Sequence, residues 1–184
     1  RQWVGEDCPV VIEVALELIE PAFAITLTWG ASPSDLDSHL WIPMSWPQEK
    51  QDYYHIYFSN MGTMATHPFT TLDTDDRSSY GPEIISGARL YEGTYEYWVH
   101  NWSSNSSAAL HTSGATVQLE LDGRLNLYEV ADVDLENGAA NGWWHVVDFV
   151  VDGTGNVTIR EVNEFQDPDV DGPGAGKALD LDKN

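Results

Sequence analysis

Residues 23–42, FAITLTWGASPSDLDSHLWI, decide the fold class, because they contain two alternating runs joined by a short polar loop. Apolar side chains occupy every second position from Phe23 to Trp29, with alanine or threonine between them. Leu36, Leu40 and Ile42 keep the same period in the second run. A period of two places alternate side chains on opposite faces of a β-strand. The stretch therefore predicts two half-buried strands.

Alternating runs of the same kind fill most of the chain. Asp122-Gly123 joins two of them, and this dipeptide favours a tight β-hairpin because both of its residues must adopt a positive φ. Helical periodicity is nearly absent, so we expect an all-β fold: an antiparallel β-sandwich, jelly-roll-like, with about nine strands. The further predicted strands cover residues 10–19, 53–59, 93–101, 117–121, 125–127, 143–151 and 156–165.

The predicted strand at residues 143–151 is expected to contribute one face to the core. If the period of two continues along its whole length, every second side chain points into the sandwich. The expected inward set is Trp143, His145, Val147, Phe149 and Val151.

Length and charge restrict the classes of protein to consider. The chain has 184 residues, 42% of them hydrophobic, which is enough for one compact domain, predicted at residues 1–165. Residues 166–184 are rich in Gly, Pro and Asp and indicate a linker or tail. The formal net charge of −22 opposes binding to nucleic acid or to an anionic membrane surface. We expect no membrane insertion, and the single cysteine, Cys8, excludes an internal disulfide.

The negative charge has three possible explanations. The carboxylates can surround hard cations, the protein can be adapted to high salt, or the charge can simply keep the surface soluble. Two acidic clusters in the sequence favour the first explanation, a bound cation. Asp35 and Asp37 share one face of a predicted strand, where like charges repel unless a cation lies between them. Residues 73–76 hold three carboxylates in a predicted loop, and Tyr80 and Glu83 follow.

Calcium suits these clusters better than zinc or magnesium, because it takes about 6–8 oxygen ligands and tolerates irregular loops. We therefore expect calcium as the cofactor, with a zinc site at His39, Asp35 and Asp37 ranked below it. For each cluster alone, turn capping and solvation remain an alternative. The expected metal ligands are Asp35, Asp37, Asp73, Asp75, Asp76 and Glu83.

The acidic tail contains a possible second metal site. Asp167, Asp169 and Asp171 precede Gly172 with the spacing of a calcium loop. The twelfth position of that loop is Ala178 instead of a bidentate glutamate, which excludes a full EF-hand. A solvated acidic tail is the alternative.

Aromatic residues are abundant, with 8 Trp, 8 Tyr and 5 Phe, and several fall on polar faces or in loops. Aromatic rings beside carboxylates suit stacking on a sugar or anchoring a peptide, although they can equally cover the ends of a sandwich. The expected ligand-binding residues are His39, Trp41, Tyr80, Trp98, His100, Asn101 and Trp102.

The run from Leu27 to Leu40 resembles the signature of YfaP-like bacterial domains, in which a strand ending in tryptophan is followed by a loop and an Asp-Leu-Asp-x-His-Leu strand. Residues 72–76, 80–83 and 93–99 follow in the order of that family, so the resemblance covers residues 25–165. It implies a β-sandwich of a secreted or surface protein whose function is poorly defined, and it selects the same acidic residues as the candidate site.

Size, acidity and the trailing linker are also similar to the peptide-binding modules of giant calcium-dependent (RTX) bacterial adhesins. This likeness implies a bound calcium that keeps an open position for a ligand oxygen. The carboxylate at the C-terminus of a peptide or protein is one such ligand.

The sequence carries no signature of an enzyme, since it lacks a GxSxG elbow, an HExxH pair and a Walker loop. We therefore expect a non-enzymatic, calcium-dependent ligand-binding module of a secreted or cell-surface bacterial adhesin, part of a larger multidomain chain. A peptide or a glycan is the expected partner. The alternatives are a carbohydrate-binding module, a calcium-stabilised spacer without a ligand, and a hydrolase that acts on polysaccharide.

Overall fold

Two antiparallel β-sheets pack face to face in the computed structural model, which describes residues 20–43, 53–135 and 141–168. The strands are β1 (Phe23–Thr28), β2 (Asp37–Pro43), β3 (Tyr53–Ile56), β4 (Gly62–Thr63), β5 (Thr70–Leu72), β6 (Glu83–Gly87), β7 (Gly93–His100), β8 (Thr116–Leu121), β9 (Arg124–Glu129), β10 (Trp143–Val151) and β11 (Val157–Phe165). A short helix, α1, spans Ser107–His111, and a 3-10 turn spans Val130–Asp132. No helix in the described ranges has the length and hydrophobicity to cross a membrane.

The predicted antiparallel β-sandwich is confirmed. One sheet has the strand order β4-β5-β6-β1-β8-β9 and the other has the order β11-β10-β7-β2-β3. The described residues contain more strands than the nine expected, because β4, β5 and β6 are too short for alternation to be visible in the sequence. The strand predicted at residues 10–19 lies outside the described residues.

The core fills the space between the two sheets with side chains from alternate positions. On β1, Phe23, Ile25 and Leu27 are fully buried, as the period of two predicts. Phe149 of β10 stacks on Tyr95 of β7 with ring centroids 4.4 Å apart, and Phe23 lies 5.6 Å from Phe149 across the sandwich. These three rings pack together between the two sheets, in the core of the sandwich.

β10 departs from the predicted alternation at one point. The register against both of its neighbours shifts between His145 and Val147, which is a β-bulge. After the bulge, Val147 and the alternate residues that follow face the core, as expected. Before it, Trp144 faces the core, whereas Trp143 and His145 lie on the opposite face and stack on rings of β7. The prediction of an inward Trp143 and His145 is therefore wrong.

The first residues after β11 still contact the sandwich. The side chain of Gln166 lies 2.6 Å from Nδ1 of His145, and Asn141 donates a 2.7 Å hydrogen bond to the carboxylate of Asp167. Asp167, one of the three residues predicted as a second metal site, is thus hydrogen bonded to the domain. Its two predicted partners, Asp169 and Asp171, lie outside the described residues.

The buried ring of Phe149 provides a test of this core. Phe149→Ala should lower the free energy of unfolding by about 3–5 kcal/mol, because it removes a fully buried ring that stacks on Tyr95. Urea denaturation followed by tryptophan fluorescence measures the loss. Leu127→Ala on β9, where the side chain is 54% exposed, is the control and should change the free energy by less than about 0.5 kcal/mol. Equal losses in the two variants would contradict the assignment.

Candidate functional site

The outer face of the five-stranded sheet carries histidine, tryptophan and charged side chains in three cross-strand rows. The first row is Asp37, His100 and Trp143. The second is His39, Trp98 and His145. The third is His55, Trp41, Glu96, Asp148 and Arg160. We call these residues the histidine–tryptophan face.

The rings of the histidine–tryptophan face stack in pairs. Trp41 stacks on His55 and Trp98 on His145, each pair with centroids 3.9 Å apart. This packing leaves Trp98 only 3% exposed, although it points away from the core. The face is therefore a tightly packed second layer on the sheet. Burial lowers the pKa values of His39 and His100, and it lowers that of the half-buried His55 to about 4.

One end of this face is a satisfied ion-pair network. The carboxylate of Asp148 is fully buried, and it accepts a 3.0 Å hydrogen bond from Nε of Arg160 and pairs with His145 at 2.6 Å. Glu96 accepts a 3.3 Å hydrogen bond from the hydroxyl of Tyr53. Burial and the charge of Asp148 raise the pKa of Glu96 to about 7.

Three carboxylates converge at the other end, where β2 begins. Asp35, Asp37 and Asp75 each place an oxygen within 4.8 Å of the others. Asp35 and Asp37 are 8% and 3% exposed, and Oδ1 of Asp35 and Oδ2 of Asp37 have no hydrogen-bond partner among the described residues. Burial and the neighbouring carboxylates Asp35 and Asp75 raise the pKa of Asp37 to about 7. Burial and Asp75 also raise the pKa of Asp35. We call these three residues the carboxylate trio.

Glu83 holds the backbone on both sides of the carboxylate trio. Its side chain is fully buried at the start of β6, where Oε2 accepts a 2.7 Å hydrogen bond from the backbone N–H of Ser38 and Oε1 accepts a 3.2 Å bond from that of Asp76. Ser38 follows Asp37 and Asp76 follows Asp75, so these two bonds place two of the three carboxylates. Burial raises the pKa of Glu83 to about 8.

The remaining predicted metal ligands shape the loop that carries Asp75. Oδ1 of Asp73 accepts a 2.9 Å hydrogen bond from the backbone N–H of Ile84. Oδ1 of Asp76 accepts two 2.7 Å bonds, from the N–H and the hydroxyl of Ser78. The structure thus brings together Asp35, Asp37 and Asp75. Asp76 makes the kind of turn contact that was the alternative for it, and Asp73 bonds across to β6.

Two of the predicted ligand-binding residues are exposed aromatics on loops that bond to the segment leading to Asp35. Tyr80 is 62% exposed and Trp102 is 56% exposed. The N–H of Tyr80 donates a 3.2 Å bond to the carbonyl of Gly30, and the hydroxyl of Ser103 accepts a 2.9 Å bond from the N–H of Asp35. Both aromatic loops are therefore attached to the loop that leads to Asp35.

The other predicted ligand-binding residues are more buried. His39, Trp41, Trp98 and His100 belong to the histidine–tryptophan face. Asn101 is fully buried, and its side chain donates to the hydroxyl of Ser104 and the carbonyl of Ser106, which fixes the loop around Trp102.

Sequence reasoning missed three rings of this face, His55, Trp143 and His145, and its charged residues Glu96, Asp148 and Arg160. A signal was present, because three strands each carry one histidine and one tryptophan two positions apart, and side chains at this spacing share a face of the sheet. The pairs are His39 and Trp41, Trp98 and His100, and Trp143 and His145.

The raised carboxyl pKa values predict how stability depends on pH in the metal-free protein. Asp37 and Glu83 ionise near pH 7 and 8 when folded, but near pH 4 when unfolded, so the folded state holds more protons in between and the free energy of unfolding falls as pH rises. Buried neutral histidines oppose this trend only below about pH 6.5. The midpoint of thermal unfolding should therefore fall between about pH 7 and 8.5.

Asp37→Asn is the matched variant for this pH experiment, because it removes one of the ionising groups and should make the fall shallower. The measurement needs constant ionic strength, since screening also acts on the net charge of −22. A midpoint that is constant or rises over this interval would contradict the prediction.

No protein-family model matches the sequence, and no curated protein is significantly similar to it. Solved structures with the same fold include a homologue of the telluride resistance protein TerD from Streptomyces coelicolor A3(2), with a TM-score of 0.57 and 15% identity over 82% of this chain and 94% of that chain. A protein of unknown function, SAV2460, matches with a TM-score of 0.54 and 16% identity over 81% of this chain and 92% of that one. At such identities the likeness shows a shared fold alone, and the resemblance to YfaP-like and adhesin modules stays a prediction.

Proposed function

We propose that the protein is a calcium-dependent ligand-binding module of a secreted or cell-surface bacterial adhesin. The observation that supports this proposal is the carboxylate trio. Asp35, Asp37 and Asp75 are brought within 4.8 Å of one another, and two of their oxygens are buried without a hydrogen-bond partner in the described part of the chain. Carboxylates this close repel each other unless a cation lies among them.

Carboxylate oxygens carried largely by irregular segments favour calcium among the common divalent ions. Calcium takes about 6–8 oxygens in flexible geometry, whereas magnesium requires a near-ideal octahedron and keeps several waters. Three carboxylates supply only part of that shell, so the remaining positions are available to water or to oxygens of a ligand. A peptide C-terminus offers a carboxylate for those positions, as the proposed function requires.

The exposed aromatics support ligand binding over a purely structural role for calcium. Trp102 packs against Phe58 and His100 with centroids 5.4 and 6.0 Å away, yet more than half of its surface remains exposed. Tyr80 is exposed on the other loop attached to the 30–35 segment. A calcium ion that only stiffened the fold would not need exposed rings on the loops attached to this segment. Because such rings also stack on sugars, a glycan is the second candidate ligand.

Calcium binding can be tested directly on metal-free protein. Calcium at a hundredfold excess over Kd should add about 2.7 kcal/mol to the free energy of unfolding and raise Tm by several degrees. Asp75→Asn should abolish this rise and, because it relieves repulsion in the carboxylate trio, should make the metal-free protein more stable. Calorimetric titration and thermal unfolding measure both effects.

The control variant for calcium binding is Asp122→Asn. Asp122 lies in the β8–β9 turn with a φ of 52°, a conformation that asparagine also adopts, so this variant removes one negative charge far from the trio. It should keep the full calcium response. Equal stabilisation by calcium and by sodium chloride of the same ionic strength would show that the acidity is a salt adaptation and would overturn the proposal.

Ligand binding is tested on arrays of peptides and glycans, probed with and without calcium. The proposal expects hits that require calcium and that are weakened at least tenfold by Trp102→Ala while calcium binding is retained. Leu125→Ala, which truncates a side chain that is 67% exposed on β9, should bind like the wild type. Calcium binding without any calcium-dependent hit would favour the spacer.

A further inference from the structure

A second set of metal-ligand atoms lies beside the carboxylate trio, on the histidine–tryptophan face. We propose that Asp37, His39 and His100 bind a divalent transition metal, zinc foremost. One oxygen of Asp37 and one ring nitrogen of each histidine lie within 4.8 Å of one another. The three residues are 3%, 4% and 6% exposed. We call them the histidine trio.

Two atoms of the histidine trio are buried without hydrogen-bond partners. Nε2 of His39 and Oδ2 of Asp37 are buried and unpaired in the described part of the chain. Proteins rarely bury polar atoms in this way, because an unpaired atom loses its hydrogen bonds to water without replacement. A metal ion satisfies both atoms, since each has a lone pair and neither faces a donor.

The second ring nitrogen of each histidine has a partner that orients the imidazole. Nε2 of His100 lies 2.9 Å from the side-chain oxygen of Asn105, and an amide oxygen only accepts hydrogen bonds. With its proton on Nε2, the neutral His100 ring offers the Nδ1 lone pair to a metal, and a hydrogen bond to the backbone of Asn141 is a second contact of this ring. Nδ1 of His39 lies 2.9 Å from Nε2 of His55 and can donate to it, which leaves Nε2 of His39 as the other lone pair. Outer contacts of this kind are typical of metal-binding histidines.

Stacking holds both imidazoles in place. The ring of Trp143 lies parallel to His100 at 4.1 Å and meets His39 edge-on at 4.7 Å. A ligand ring fixed by packing loses little conformational freedom when it binds a metal. The bulge that turns Trp143 to this face therefore contributes to the site.

The donor set selects zinc over calcium. Imidazole nitrogens suit zinc and related transition metals, whereas calcium prefers oxygen ligands only. Two histidines with one carboxylate are a known zinc ligand set, and three protein ligands leave a further position for water or for a donor atom of a ligand. Tetrahedral zinc with bonds of about 2.0–2.2 Å places its ligand atoms about 3.3–3.6 Å apart, so the side chains, whose ligand atoms lie within 4.8 Å of one another, have to close on the ion by rotation.

Asp37 belongs to both trios. The zinc proposal nevertheless does not depend on the calcium proposal, because it rests on His39 and His100, which belong to the histidine trio alone. Substitutions separate the two sites. Asp75→Asn removes a carboxylate from the calcium site alone, His100→Gln removes a ligand from the zinc site alone, and Asp37→Asn affects both.

The test is titration of the full chain, stripped with a chelating resin, with zinc by calorimetry and with cobalt(II) by visible absorption. Wild type should bind one equivalent of zinc at the histidine trio and should develop cobalt absorption bands of a site with nitrogen ligands. His100→Gln should weaken zinc binding at least tenfold and remove those bands, while its calcium response stays that of the wild type. Asp75→Asn should retain zinc. His111→Gln, a histidine of α1 outside both trios, is the control.

A second variant keeps the test decisive if His100→Gln fails to fold. Asn105→Gly keeps every metal ligand, tolerates the positive φ of 48° at this position, and removes only the oxygen that orients His100. It should weaken zinc binding about 10–100-fold. Absence of zinc binding in the wild type, wild-type affinity in Asn105→Gly, or loss of zinc in Asp75→Asn would each overturn the proposal. Loss of the calcium response alone would contradict only the proposed function.

Discussion

One buried carboxylate, that of Glu83, determines where the candidate site residues meet. It stands on β6 of the six-stranded sheet, and its hydrogen bonds reach Ser38 on β2 of the other sheet and Asp76 in the loop after β5. The hydroxyl of Ser38 lies 2.9 Å from that of Tyr97 inside the sandwich. Because neighbouring residues of a strand point in opposite directions, an inward Ser38 places Asp37 and His39 on the outer face. The geometry of both trios thus depends on a side chain that belongs to neither.

Alternation survives in long strands, and it predicted both the sandwich and the shared face of Asp37 and His39. Asp75 was selected for a different reason, the density of carboxylates in its loop, and therefore together with Asp73 and Asp76. The sequence could not distinguish the carboxylates that converge from those that hold the backbone in place. Asp73, Asp76 and Glu83 have the residue types of metal ligands, but whether such a carboxylate faces a cation or a backbone N–H depends on contacts between segments that are far apart in sequence.

The errors on β10 have a different physical origin. A bulge adds one residue to a strand, and this single residue reverses the facing of every side chain on one side of it. Nothing local marks the insertion between His145 and Val147, since valines occupy both positions after His145. The strand was therefore predicted correctly while Trp143 and His145 were placed in the core. Only comparison between strands, with a histidine and a tryptophan two positions apart in each, indicates a common outer face.

The buried carboxylates at the two ends of the histidine–tryptophan face differ in whether they are paired with donors and cations. This difference supports the proposal of a metal at one end. Asp148 is as buried as Asp37, but it pairs with the guanidinium of Arg160 and hydrogen bonds to His145. Around Asp37 the neighbours are carboxylates and imidazoles, and the guanidinium of Arg77, which is largely exposed, pairs at 3.6 Å with Asp75 only among the described carboxylates. The chain has 30 acidic and 8 basic residues, so few cationic side chains exist to meet its carboxylates. An ion taken from solution, as both proposals require, would supply the positive charge that the described side chains do not bring to Asp37.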